Sequence, residues 1–187
     1  MLLNLKLDNL FCNKLASRSQ YVFEQTIDKI LLHHIGDIVK FDLDLSGVEL
    51  TPCPDIDRWI LYATRNAVKK LKLKMTKDGR VTRGLPFTQI NCLRYLILGI
   101  NLDEMGQTSY TIKLTKSFLN LSKLEIRVYA ASDKDETVMK YLDKLEDVVM
   151  HSFRGSKSEL IFIKLLFTRA PSLIRMNIKL SKGVKEE

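Results

Sequence analysis

The stretch Leu93-Arg94-Tyr95-Leu96-Ile97-Leu98 carries apolar residues at its first, fourth and sixth positions. The same apolar-x-x-apolar-x-apolar pattern returns at Ile38/Phe41/Leu43, Val68/Leu71/Leu73, Leu121/Leu124/Ile126, Leu145/Val148/Met150 and Leu173/Met176/Ile178. The six copies start 30, 25, 28, 24 and 28 residues apart, and all eighteen key positions are apolar. Self-similarity at such a period is the signature of a repeat architecture, in which no unit can bury its apolar face alone.

The last two apolar positions of each copy lie two residues apart, so they share one face of a strand and the residues between them face the other way. The intervals leave room for the crossover of a dozen or more residues that parallel strands require. They also fall within, or one residue beyond, the roughly 20–29-residue period of leucine-rich repeats. Right-handed crossovers would stack such strands into one curved parallel sheet. The expected fold is therefore an α/β leucine-rich-repeat solenoid of about six repeats, with helices on its convex side.

Three crossovers read as helices. Tyr21 to Ile35 spaces Val22, Phe23, Ile27, Ile30, Leu31 and His34 at three and four residues. Pro54 to Ala67 puts Ile56, Trp59, Ile60, Ala63 and Ala67 on one stripe. Pro54, Asp55 and Asp57 there suit a first helical turn, and the lone Trp59 reads as core. Ser156 to Ala170 opens with a capping box, Ser156 then Glu159, and stops at Pro171. A fourth helix is expected at Glu136 to Leu145, and turns or loops at 76–80, 103–109 and 131–135.

At 187 residues, with 45% hydrophobic and 28% charged residues, the chain can bury a substantial core. Eight Gly and four Pro are too few for a linker or a low-complexity chain. No apolar run approaches the roughly 18–20 residues that span a bilayer, and the greasiest, Leu160 to Phe167, contains Lys164. Lys6 and Asp8 interrupt the apolar N-terminus, which does not read as a secretory signal. Cys12, Cys53 and Cys92 form no CxxC pair and no ligand set. They read as free thiols, which places the chain inside the cell, in cytoplasm or nucleus.

The net charge of +8 is informative only through its distribution. Alternate strand residues, those facing away from the helices, form the expected binding face of a repeat protein. They are Lys40, Asp42 and Asp44; Lys70, Lys72 and Lys74; Tyr95, Ile97 and Gly99; Lys123, Glu125 and Arg127; Asp147, Val149 and His151; and Arg175, Asn177 and Lys179. Eight are basic and four acidic, a net +4. An acidic partner would suit this face, and charged strand positions also serve solubility and edge protection. Tyr95 is its only aromatic residue, whereas binders of single-stranded nucleic acid rely on aromatic stacking, so nucleic acid is not the expected partner. Changing Lys70, Lys72 and Lys74 together to Glu is expected to leave folding intact, because all three should face solvent.

Chemistry is not visible. The adjacent His33 and His34 diverge on a helix, and His151 is remote. Asp55 and Asp57 are explained by the helix start. There is no phosphate loop, GxSxG elbow or recognisable Cys/His pair. No enzyme activity, metal or cofactor is expected.

Five segments carry a family resemblance: Ile30-Leu31-Leu32-His33-His34-Ile35-Gly36-Asp37-Ile38-Val39-Lys40-Phe41; Asp55-Ile56-Asp57-Arg58-Trp59-Ile60-Leu61, continued by Thr64-Arg65-Asn66-Ala67-Val68-Lys69; Cys92-Leu93-Arg94-Tyr95-Leu96; Ser117-Phe118-Leu119-Asn120-Leu121; and Glu159-Leu160-Ile161-Phe162-Ile163-Lys164-Leu165-Leu166 with Ala170-Pro171-Ser172-Leu173. Together they resemble the plant family of F-box proteins with leucine-rich repeats and a C-terminal FBD region. Gly36-Asp37 stands where the family carries Gly-Pro. The resemblance implies a link and capping helix over 1–35, repeats over 36–155, and a partial FBD region continuing the solenoid over 156–187.

It further implies the substrate-recognition part of an SCF-type (Skp1–cullin–F-box) ubiquitin ligase adaptor, with an unknown target protein on the concave face. The F-box that docks on the Skp1 adaptor is not found in this sequence, which puts a Skp1 partnership in doubt. The alternatives are a basic nucleic-acid-associated module, marked by a steep salt dependence of duplex binding, and a truncated remnant without function. No membrane partner is expected.

Overall fold

The computed structural model describes residues 4–48, 56–65, 67–75, 92–102, 107, 110, 111, 114, 115, 117–128 and 142–181. Seven strands run through it: β1 (Asn4–Leu7), β2 (Lys40–Asp44), β3 (Lys70–Lys74), β4 (Tyr95–Ile100), β5 (Lys123–Val128), β6 (Asp147–Phe153) and β7 (Arg175–Leu180). They form one sheet in chain order, every neighbouring pair parallel. This is an α/β, leucine-rich-repeat-like arrangement.

The register aligns the repeat with itself. Fourth-position residues lie side by side across the sheet, Phe41 beside Leu71, then Leu96, Leu124, Val148 and Met176. Sixth-position residues do the same from Leu43 to Leu73, Leu98, Ile126, Met150 and Ile178. In the first five copies all fifteen pattern residues are buried in one apolar cluster. The sixth copy differs, since Leu173 and Met176 are only half-buried and Ile178 is exposed. Among the described residues no further strand covers β7, and Leu160 and Phe167 are exposed at the same end.

The sheet has one strand more than the six expected. β1 precedes the first recognised repeat and pairs with β2 from Asn4↔Lys40 to Leu7↔Leu43. The sequence carries its mark, Leu2-x-x-Leu5-x-Leu7, but 36 residues ahead of Ile38. That interval exceeds the period of the other units because the crossover holds two helices, α1 (Asn9–Ala16) and α2 (Gln20–Leu32).

Helix ends follow local chemistry. Asp8 caps α1 by accepting from Phe11 N at 3.0 Å, and Ser19 caps α2 by accepting from Val22 N at 3.1 Å. The apolar stripe of α2 buries Phe23, Ile27 and Leu31. The helix ends at Leu32, so His34, expected on that stripe, lies beyond it and Ile35 is exposed. α3 (Ile56–Arg65) buries Ile56, Trp59, Ile60 and Ala63. α4 (Lys157–Arg169) starts with the capping box read from sequence. Glu159 is fully buried there, and its Oε2 accepts from Ser156 N at 2.9 Å and Arg154 N at 3.0 Å.

The β4–β5 crossover is helical at Gln107, Tyr110, Thr111, Leu114, Thr115 and Ser117, so the loop expected over 103–109 does not extend through Gln107. The helix expected from Glu136 lies outside the described residues up to 141, and residues 142–145 form a turn. The turns expected at 76–80 and 131–135 also lie outside them.

Side chains of the helices join the same apolar cluster as the pattern residues, which puts the helices on that face of the sheet. Leu96 sits at its middle, fully buried on β4. Leu96→Ala is expected to cost about 2–5 kcal/mol, the range for a truncated core leucine; urea unfolding of the two proteins measures it. A loss below about 1 kcal/mol would put Leu96 outside the core.

Candidate recognition face

The opposite face is built from the residues between the apolar ones. Strand spacing of about 4.8 Å brings register partners into side-chain contact. The leading row runs Asn4, Lys40, Lys70, Tyr95, Lys123, Asp147, Arg175. The middle row runs Lys6, Asp42, Lys72, Ile97, Glu125, Val149, Asn177. The last row runs Asp44, Lys74, Gly99, Arg127, His151. Lys179 follows on β7, beyond a register shift between Met150 and Phe153.

The expectation of a uniformly solvent-facing set is corrected by these contacts. Asp42, Asp44, Ile97 and Glu125 are buried. Lys72 Nζ lies 3.0 Å from Asp42 Oδ2, and Lys74 pairs with Asp44. Side-chain exposures of 20% and 7% in the first pair, and 23% and 12% in the second, take both out of the weak surface regime. Asp44 also accepts from Ser46 N at 3.1 Å. Burial alone would raise the Asp44 carboxyl, but the hydrogen bonds from Lys74 and Ser46 outweigh it and hold it below the ordinary aspartate range.

Glu125 is the second centre. Tyr95 donates its hydroxyl to Oε2 at 2.5 Å, and Arg127 donates to Oε1 from Nε at 2.9 Å and Nη2 at 2.8 Å. His151 Nε2 stands 3.3 Å from the same oxygen. Burial opposes the charge on Glu125, yet the bonds from Tyr95 and Arg127 keep its pKa lowered. Burial and then Glu125 push the Tyr95 hydroxyl up to about 12. Burial, with Lys179 and Arg127 nearby, lowers His151 against the opposing pull of Glu125.

Tyr95 also holds cations on its ring, Lys70 Nζ at 4.1 Å and Lys123 Nζ at 5.1 Å from the centroid. Lys70 is lowered by burial and by its neighbours Lys40, Lys123 and Lys72, with Glu125 opposing. At the far edge Arg175 grips Asp147 through Nε at 2.7 Å and Nη2 at 3.0 Å, in a solvent-exposed pair. The structure thus unites all the face residues named from the sequence. Reading from the sequence alone omitted Asn4 and Lys6 of β1, whose Leu5 and Leu7 marked that strand.

Acid sensitivity follows. Asp44 and Glu125 are lowered in the fold, so the stability they contribute is present above their ordinary values of 3.8 and 4.5 and is lost as pH falls through the folded values. Glu125→Gln is expected to flatten that acid loss, measured as the urea midpoint against pH. An unchanged slope would remove Glu125 from this role.

Among the described residues, the thiols of Cys12 and Cys92 carry no sign of reactivity. Burial pushes Cys12 up to about 12 and also raises Cys92. Among the described residues no three His, Cys, Asp or Glu side chains gather to hold a metal, and no helix is long and apolar enough to cross a membrane.

A protein of Arabidopsis thaliana described as an F-box/FBD/LRR-repeat protein is 30% identical to this chain over 128 residues. The match covers 68% of this chain and 29% of the relative, so the chain spans less than a third of that protein's length. It supports a distant family relation. No family model matches the chain, and no solved structure matches it.

Proposed function

We propose that this distant relative of the F-box/FBD/LRR-repeat proteins is a protein-binding module, not an enzyme, and that its polar sheet face receives the partner. On this reading the chain is a leucine-rich-repeat solenoid, and it corresponds to the substrate-recognition part of an SCF-type ubiquitin ligase adaptor. The observation that carries it is the seven-strand parallel sheet in chain order, with one face sunk against helices and the other lined by ionic and aromatic side chains. The relative supports it by name, as an F-box/LRR-type protein. Nucleic acid suits the face less well, because its one aromatic ring, Tyr95, is already engaged by Lys70 and Lys123.

The test is affinity capture from an Arabidopsis extract with this chain as bait, read by mass spectrometry and by blotting for Skp1. A reproducible protein partner whose capture is lost on disrupting the polar face is expected. Skp1 and a cullin in the same eluate would extend the role to a ligase. Retention of nucleic acid in place of any protein would contradict the proposal.

A further inference from the structure

The polar face, Lys6 of β1 included, carries nine Lys and Arg side chains against four carboxylates, and the pairing shows where the surplus lies. Lys6 itself lies 3.8 Å from Asp8, just beyond its strand. Asp42 takes Lys72, Asp44 takes Lys74, Glu125 takes Arg127, and Asp147 takes Arg175. Lys40, Lys70, Lys123 and Lys179 remain without a carboxylate at ion-pair distance among the described residues. The four are not scattered. Lys40, Lys70 and Lys123 share the leading row on β2, β3 and β5, with Tyr95 on β4 between the last two. Only Lys179 stands apart, on the edge strand.

We infer that this row, Lys40, Lys70 and Lys123 gathered about Tyr95, is the docking site for an extended acidic segment of a partner protein. The inference rests on the reading of this face as protein-binding and names the chemistry of what it binds. Three strand spacings, about 14 Å, separate β2 from β5. Alternate side chains of an extended peptide stand about 6.6 Å apart, so acidic residues at alternate positions span a similar distance. The site is organised before binding. The Tyr95 hydroxyl is anchored on Glu125, and the ring in turn holds the ammoniums of Lys70 and Lys123, which come from the two flanking strands. Lysines already placed lose less side-chain freedom on binding.

Crowding of like charge is the unfavourable part of this arrangement: burial first, and then Lys40, Lys123 and Lys72, lower the Lys70 pKa against the pull of Glu125. Carboxylates from a partner would relieve it. Asp147 stands in the same row beside Lys123 but is held by Arg175, and the other three carboxylates lie in the middle and last rows. They oppose a continuous polyanion but leave room for a short acidic segment over Lys40, Lys70 and Lys123.

The experiment uses a fluorescent synthetic peptide with Glu at alternate positions, its Gln counterpart, and a short DNA duplex as competitor, read by anisotropy. Lys70→Gln with Lys123→Gln is expected to weaken binding of the Glu peptide about tenfold or more, while Lys179→Gln leaves it unchanged. Lys123→Gln alone should weaken it severalfold, which keeps the test valid if the double variant unfolds. Equal affinity for the Glu and Gln peptides, equal binding by the double variant, or an equal loss in Lys179→Gln would overturn the inference. So would a duplex that displaces the peptide at lower concentration than unlabelled peptide does. If the captured partner of the preceding experiment binds the double variant as well as the unchanged chain, the protein-binding reading stands and this site falls. If no protein is captured at all, the wider reading falls with it.

Discussion

Lys72→Glu combined with Lys74→Glu is expected to remove most of the stability of this fold. Each change would set a new carboxylate against one that is already buried, Asp42 or Asp44. Removing one partner of a buried ion pair costs about 3–5 kcal/mol, and reversing it adds repulsion. Two such losses are comparable with the roughly 5–15 kcal/mol that holds a whole domain together. Loss of a cooperative urea transition, or a large fall in its midpoint, is the expected result. Adding Asp42→Lys and Asp44→Lys to the same protein should restore part of the loss, because the pairs are rebuilt in the opposite sense. A double variant as stable as the unchanged chain would mean that these lysines stand in solvent.

Trp59→Ala should have the next largest effect. The indole is fully buried on α3 and meets Phe23 of α2 edge-on, with centroids 5.7 Å apart and ring planes at 74°. Its Nε1 donates to Asp28 Oδ1 at 2.8 Å, while Arg58 donates to Oδ2 of the same carboxylate at 2.8 Å. Truncation therefore empties the junction of α2 and α3 and strips Asp28 of one donor. The cavity alone predicts about 3–5 kcal/mol. Trp59→Phe should cost less, since it keeps a ring against Phe23 and loses the indole donor. Calorimetric melting of both variants checks the order. A larger loss for Phe than for Ala would contradict this account of the junction.

Most of the architecture was legible in the sequence because burial repeats with the strand. Phe41 and Leu43, Leu71 and Leu73, and their counterparts through Met150 are apolar for one physical reason, the helices lying over them, so their spacing reveals the sheet. The cap of α4 was equally plain, because Ser156 and Glu159 satisfy each other's backbone within one turn. β1 was missed where that regularity broke, at an interval lengthened by two helices. The helical residues after Gln107 were missed although Tyr110, Leu114 and Phe118 recur four residues apart and are buried in the core. The β-branched Thr111 and Thr115 beside them disguise the helix, and their hydroxyls return to carbonyls one turn back, at 2.8 Å and 2.9 Å.

The polar face was half legible. Alternation names its residues and says nothing of which neighbour each one meets. Asp42 beside Lys72 and Tyr95 beside Lys123 are pairings between residues 30 and 28 positions apart, set by the register of adjacent strands. The face was therefore expected to be open to solvent. In the fold its carboxylates are taken up by neighbouring cations, and three of the four lysines left over, Lys40, Lys70 and Lys123, share one row.

Site-specific crosslinking measures most directly whether that face is where a partner sits. A benzoylphenylalanine is placed at Lys123 on the polar face in one protein, and at the exposed Lys164 of α4 in another. Each is irradiated with the partner captured from extract. The account predicts a covalent adduct from position 123 and none from position 164. An adduct from position 164 with none from 123 would put recognition on the helical side and contradict it.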